Sequence, residues 1–284
     1  MFRLYKIAFI TILAIFTNTA FANETTPVKP LIIGVTPYLS ARALVTSYEP
    51  MRLYLENVLG KPVKIYSANG FKQYFERAVK GDYDLVISAA HFARLLQKEH
   101  KFTPLVRYSK GGRGLVMASV NGPLNTPNDL RGQVIAVPEQ LALATIVCMI
   151  ALNENGLKAG TDFKILEVPS FTSAILAIQN GDATAAVSAP AALAQMPQEL
   201  RESVKPVLDT GEYINLIFLA HPRLDKTFVA LLNKALLKFG SESSEGKQFF
   251  ASNSSGTTIP ATEKDMNSLD RYIAETKRLL NATP

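Results

Sequence analysis

The residues of this chain able to bind or react gather after short β-branched runs. Tyr38, Ser40 and Arg42 follow the run at 31–36, Asn69 follows 62–66, Ser88 ends 84–88, and His91 comes three residues later. In the second half, Glu139, Gln140 and Thr145 follow 133–137, Ser170 and Thr172 follow 163–168, and Ser188 ends 183–188. These are the candidate ligand-binding residues. Tyr38 offers both stacking area and a hydroxyl, with packing against the next helix as the alternative. Arg42 offers a bidentate fork for a carboxylate or phosphate, or stands solvated. His91 hydrogen-bonds a ligand or reports pH near neutrality, or else caps the following helix.

Bond-breaking chemistry finds little support. Asp84, Ser88 and His91 are the residue types of a triad, but no nucleophile-elbow pattern surrounds the serine. A phosphate-cradling glycine loop, a zinc motif and paired carboxylates are all missing. His100 and His221 have no acidic or histidine neighbours at metal spacing. The expectation is no catalytic residue, no metal and no cofactor. Cys148 is the single cysteine, so no internal disulfide forms. It lies in the stretch 141–152, apolar apart from Thr145 and Cys148, and reads as a small buried residue. A helix apolar on every side is expected to be buried all round, with an apolar cleft wall as the alternative.

The elements that position these residues follow from periodicity. Residues 31–36 read as a strand. Leu44, Tyr48, Met51 and Leu55 mark one face of a helix that stops at Gly60. Residues 62–66 read as a strand, 71–80 as a helix closed by Gly81, and 84–88 as a strand. The order then repeats: strand 133–137, helix 141–155, strand 163–168, helix 172–180, strand 183–188. An offset of one hundred aligns Gly60 with Gly160, Lys64-Ile65 with Lys164-Ile165, Phe71 with Phe171, Gly81-Asp82 with Gly181-Asp182, and Ser88-Ala89 with Ser188-Ala189. Strand–helix–strand–helix–strand is the pattern of a doubly wound α/β unit. Two of them predict two α/β lobes with a ligand cleft between them.

Residues 115–120, before the turn Asn121-Gly122-Pro123, and 213–220 read as the two strands that cross between lobes as a hinge. Lobe 1 is expected over 23–117, lobe 2 over 118–218, and a helical return to lobe 1 over 219–284. Gly111-Gly112-Arg113-Gly114 precedes the first crossing, where a permissive backbone is useful.

The N-terminus sets the expected compartment. Arg3 and Lys6, the apolar run 7–16, and Ala20-Phe21-Ala22 follow the three-part pattern of a secretory signal peptide over residues 1–22. Cleavage after Ala22 leaves Asn23 first and places the protein in the periplasm. No Cys follows the site to carry a lipid. Loss of Arg3 and Lys6 lowers the formal net charge from +6 to +4. With no Lys/Arg cluster, a nucleic-acid partner is not expected, and the chain is read as a monomer.

Pro37-Tyr38, Glu49-Pro50-Met51, Leu55, Leu59-Gly60 and Val63, then 81–86 continuing to His91-Phe92-Ala93-Arg94, and Asp129-Leu130-Arg131-Gly132 resemble the periplasmic phosphate/phosphite/phosphonate-binding proteins of ABC transporters. The resemblance spans nearly the whole chain after residue 22. It implies a type II periplasmic binding fold, capture of a small molecule in the interlobe cleft, a phosphonate- or phosphate-like oxyanion as the ligand class, and delivery to an ABC permease. The alternatives are a protein presenting its ligand to a membrane sensor and, more distantly, an extracytoplasmic enzyme on the same scaffold. The chain departs from the family pattern at two places. The Ser/Thr-rich turn that holds the anion is replaced by 139–145, with no hydroxyl before Thr145, and Ser88 stands where the family often carries a tyrosine.

Overall fold

Runs of β-branched residues bounded by amphipathic helices leave the chain one economical arrangement: parallel strands covered on both faces. The computed structural model describes residues 28–253 and 256–282 and has this arrangement twice. In chain order the first part is β1 (Leu31–Val35), α1 (Ala41–Leu59), β2 (Val63–Tyr66), α2 (Phe71–Lys80), β3 (Leu85–Ala89), α3 (Ala90–His100) and β4 (Thr103–Tyr108). The second is β5 (Gly112–Ser119), β6 (Val134–Val137), α4 (Leu143–Glu154), β7 (Lys164–Glu167), α5 (Phe171–Asn180), β8 (Ala185–Ser188), α6 (Pro190–Leu193), α7 (Gln198–Glu202) and β9 (Val204–Tyr213). The return is β10 (Leu216–Ala220), α8 (Lys226–Ser241), α9 (Ser244–Asn253), β11 (Thr258–Pro260), α10 (Glu263–Ser268) and α11 (Ile273–Ala282). The expected signal peptide lies outside the described residues. Within them, no helix is long and apolar enough to cross a membrane.

Two sheets result, ordered β11-β4-β10-β3-β1-β2 and β7-β6-β8-β5-β9. Each is a parallel trio (β2-β1-β3 and β7-β6-β8) extended by a strand that arrives from the other part of the chain and pairs antiparallel: β10 against β3, and β5 against β8. The fold is therefore two α/β lobes with mixed sheets, the type II periplasmic binding architecture. The offset of one hundred survives in three dimensions. Helices α2 and α5 occupy equivalent places, and each ends on a glycine in the left-handed region, Gly81 at φ 86° and Gly181 at φ 80°. That conformation closes a helix at little cost only for glycine.

The crossings differ from the sequence expectation. Strand β5 lies wholly in the second sheet and pairs with both β8 and β9. The chain accordingly leaves the first sheet after Tyr108, at 109–111, and returns at 214–215. Residues 112–117, expected in lobe 1, stand in the second sheet, and 216–218 stand in the first. The apolar run at 115–118 is buried within the second sheet between β8 and β9, and the glycines just before it carry the crossing. A Cβ on Gly112 would sit 2.7 Å from the Tyr213 ring, so the missing side chain lets the two crossings run side by side. The expected strand over 213–220 is also two elements, the end of β9 and all of β10.

Helix α4 joins the lobes. Its Cys148 and Leu152 pack in the core of the second lobe with Val116, Ile135 and Val187. Leu141, Leu143, Ile146 and Val147 belong instead to the large apolar core of the first lobe. Gly114 on β5 permits this close seating, since a Cβ there would meet Cys148 Sγ at 2.7 Å and the Ala144 carbonyl oxygen at 3.1 Å. At the far end of α4, Arg271 of the return donates to Glu154 at 2.6 Å.

Candidate functional site

Ligands of open α/β sheets bind beyond the carboxyl ends of the strands, and that edge carries an unusual set of side chains here. Buried polar atoms are nearly always hydrogen-bonded, because an unmade bond costs about 1–3 kcal/mol. Among the described residues eight buried side-chain nitrogen and oxygen atoms have no partner, and five of these belong to Thr36, His91, Thr145 and Ser188. Thr36 follows β1, His91 lies in the first turn of α3 after β3, Thr145 lies in the first turn of α4 after β6, and Ser188 ends β8. Each lobe supplies two.

His91 is the most constrained of the four. Burial pushes its pKa down to about 3, opposed by a hydrogen-bonding contact with the Leu141 backbone. That contact falls short of full hydrogen-bond geometry, and neither ring nitrogen has another partner, so His91 does not cap α3; its ring centroid lies 4.0 Å from that of Phe92. The neutral imidazole presents one donor and one acceptor at the junction of the lobes.

The other sequence candidates divide by what already occupies them. Ser40 caps α1 by accepting from the Ala43 N–H at 3.3 Å. Ser170 caps α5 by accepting from Ser173 at 3.1 Å. Ser88 lies inside β3, fully buried, its hydroxyl donating to the Ala89 carbonyl at 3.3 Å. Gln140 is held by Glu167. Glu139 turns back to accept from the Leu141 N–H at 3.1 Å, so α4 begins at Leu143 instead of 141. Arg42, Asn69 and Thr172 are exposed, and Asn69 is engaged through its backbone N–H with Gln73 at 2.9 Å.

Tyr38 is 40% exposed as a residue, but its hydroxyl meets that of the buried Tyr48 at 3.2 Å. Tyr48 in turn meets the Tyr108 hydroxyl at 3.0 Å. Burial raises the pKa of all three phenols, so they remain protonated. This chain of hydroxyls runs from the loop after β1 to the last residue before the crossing. Sequence reading gives Tyr48 only as a core residue and assigns no strand over 103–108. Thr36 is missed because it closes the strand instead of opening the loop. Counting the last strand residue as part of the rim would have found it.

The triad arrangement does not form. Asp84 precedes β3, at the end of the strand away from His91, and accepts from Arg223 at 2.8 Å and from the Ile32 N–H at 2.8 Å. Cys148 is fully buried and burial raises its thiol pKa, which keeps it protonated and unreactive. Among the described residues no group of three or more His, Cys, Asp or Glu is placed to hold a metal ion.

A pair of α/β lobes with unpaired polar side chains from both at their facing strand ends defines the class of two-lobed binding proteins. Residues 33–266 match the model of the family described as ABC transporter, phosphonate, periplasmic substrate-binding protein, and the chain belongs to that family. Solved structures agree on the fold. XAC2383 from Xanthomonas citri bound to ATP is 15% identical, with 90% of this chain and 99% of that chain covered and a TM-score of 0.76. PhnD1 from Prochlorococcus marinus in complex with methylphosphonate is 17% identical over 90% and 99%, at 0.74. A binding protein component of an ABC phosphonate transporter from Pseudomonas aeruginosa is 13% identical over 90% and 89%, at 0.75. The chain is thus a solute-binding protein of the ABC transporter type.

Proposed function

We propose that this protein captures a small polar solute between its lobes in the periplasm, as a monomer, and presents it to an ABC permease. One observation carries the reading: Thr36, His91, Thr145 and Ser188 are buried without partners at the strand ends of both lobes. A ligand bridging them would satisfy groups that water does not reach, and binding energy from both sides would favour the closed form. Family membership makes a phosphonate- or phosphate-like oxyanion the first ligand class to try, with N–H groups at a helix start as additional donors. The residues 1–22 support secretion.

A second reading, a protein presenting its ligand to a membrane sensor or acting through a protein partner, is favoured by α4. Leu143 at its start and Leu141 just before it lie in the first lobe's core, and Glu139 occupies the Leu141 N–H where the family resemblance implies hydroxyls for an anion. Thermal-shift screening of the chain from Asn23 onward, against phosphonates, phosphate, sulfonates, carboxylates and uncharged solutes, separates the two. Solute at a hundred times its dissociation constant adds about 2.7 kcal/mol, a clear rise in melting temperature. A saturable shift with an oxyanion supports import of that class. A flat response across the panel rejects solute capture in favour of the second reading.

A further inference from the structure

We propose that α4 holds the two lobes at one fixed separation, so that they do not swing apart about the crossings when no solute is present. The inference goes beyond solute capture and does not depend on it. It rests on how the helix is built. Leu143, Ile146, Val147 and Ile150 recur at the spacings of one helical face, and all four belong to the first lobe's apolar core or pack against it. Thr145, Cys148 and Leu152 recur on the opposite face, and there Cys148 and Leu152 belong to the core of the second lobe.

The contact is anchored along its whole length. Before the helix, Leu141 is buried and lies in the first lobe's core. At the C-terminal end Glu154, on the same face as Leu143 and Val147, accepts from Arg271 of the return at 2.6 Å. The Arg271 guanidinium in turn lies over the Tyr272 ring. At the second crossing Tyr213 and Ile214 pack against the same first-lobe core. Lobes that swing apart need facing surfaces that tolerate water. Here Leu141, Leu143, Ile146 and Val147 are all buried, and of the twelve residues of α4 only Asn153 and Glu154 are exposed. The helix has no polar face to turn to water, so an opening that parted it from the first lobe would wet leucine, isoleucine and valine.

Moving one such side chain from apolar contact into water shifts an equilibrium by about tenfold or more. The four together keep the separated form below about one molecule in a thousand. A solute then enters an arrangement that is already assembled, and a partner touching both lobes meets the same surface before and after capture.

The test needs no ligand. Lys64 on β2 and Lys164 on β7 are exposed, one on each lobe, and Cys148 is buried. Spin labels on Lys64→Cys and Lys164→Cys therefore report the interlobe distance, in protein refolded from denaturant to strip any carried solute. The expected result for this parent is a single narrow distance distribution. Leu143→Asn combined with Ile146→Asn, which puts amides into the first-lobe face, is expected to broaden it or shift it to longer distance. Leu152→Ala, on the second-lobe face, is expected to lower the urea midpoint and leave the distance unchanged. A broad or two-population distribution in the parent, an unchanged distance in the double variant, or the same broadening with Leu152→Ala overturns the proposal. Should the double variant fail to fold, the parent distribution decides. A flat solute screen leaves a narrow distribution standing, and a broad distribution leaves solute capture standing, so the two failures are distinguishable.

Discussion

Helices α1 and α4 occupy the same topological place, each following the first parallel strand of its lobe, yet they are built differently. Helix α1 has a capping serine, a buried stripe of Leu44, Tyr48, Met51 and Leu55, and an outer face with Val45 and Leu53 half exposed beside the Glu49–Arg52–Glu56 ion pairs. Helix α4 has no side-chain cap, and the chain from Leu141 to Cys148 is buried throughout. The difference lies in what each helix meets. Helix α1 covers one sheet and faces water, while α4 lies between two cores. A helix that must satisfy two apolar surfaces has no room for a polar face, which is why residues 141–148 are leucine, alanine and other small or apolar side chains almost throughout.

The contrast can be broken from the α4 side first. Ile146→Ala, which empties a fully buried site in the first lobe's core, is expected to cost about 2–5 kcal/mol, read as a fall in the urea midpoint. Gly114→Ala forces a methyl against Cys148 and should cost about 1–3 kcal/mol. Adding Cys148→Ala should recover part of that loss, and strictly additive costs would show that α4 does not sit against β5 as described. Thr145→Val exchanges an unpartnered buried hydroxyl for a methyl of similar size. The free protein should gain about 1 kcal/mol in melting experiments while losing affinity for its solute, and a loss of stability would mean the hydroxyl has a partner after all. On α1 the effects shrink. Ser40→Ala removes the cap and should cost about 1 kcal/mol, and Leu53→Ala, on the exposed face, should fall within about 0.5 kcal/mol of the parent.

Where sequence reading succeeded and where it stopped has a consistent physical cause. The strand–helix–strand–helix–strand order of each half was legible, because each of those elements buries one face against its own neighbours and local periodicity records that, whereas α3, β4, α6, α7 and most of β9 were not assigned. The glycines closing α2 and α5 were legible for the same reason, since a left-handed terminus is a local demand. The crossings were misplaced by a few residues because β5 and β10 belong to sheets assembled mostly from distant sequence. Serines 40 and 170 looked like ligand contacts because a capping serine and a binding serine occupy the same place in the sequence, the last residue before a helix.

By itself, then, the sequence determined the two-lobed α/β plan, the apolar character of residues 141–152 and the inertness of Cys148, all of which follow from hydrophobic pattern and residue chemistry. Only the tertiary structure decided that Thr36, His91, Thr145 and Ser188 are among the buried polar groups left without partners, and that α4 belongs to both cores. Whether a side chain is satisfied depends on neighbours tens of residues away, and that information has no local periodicity to betray it.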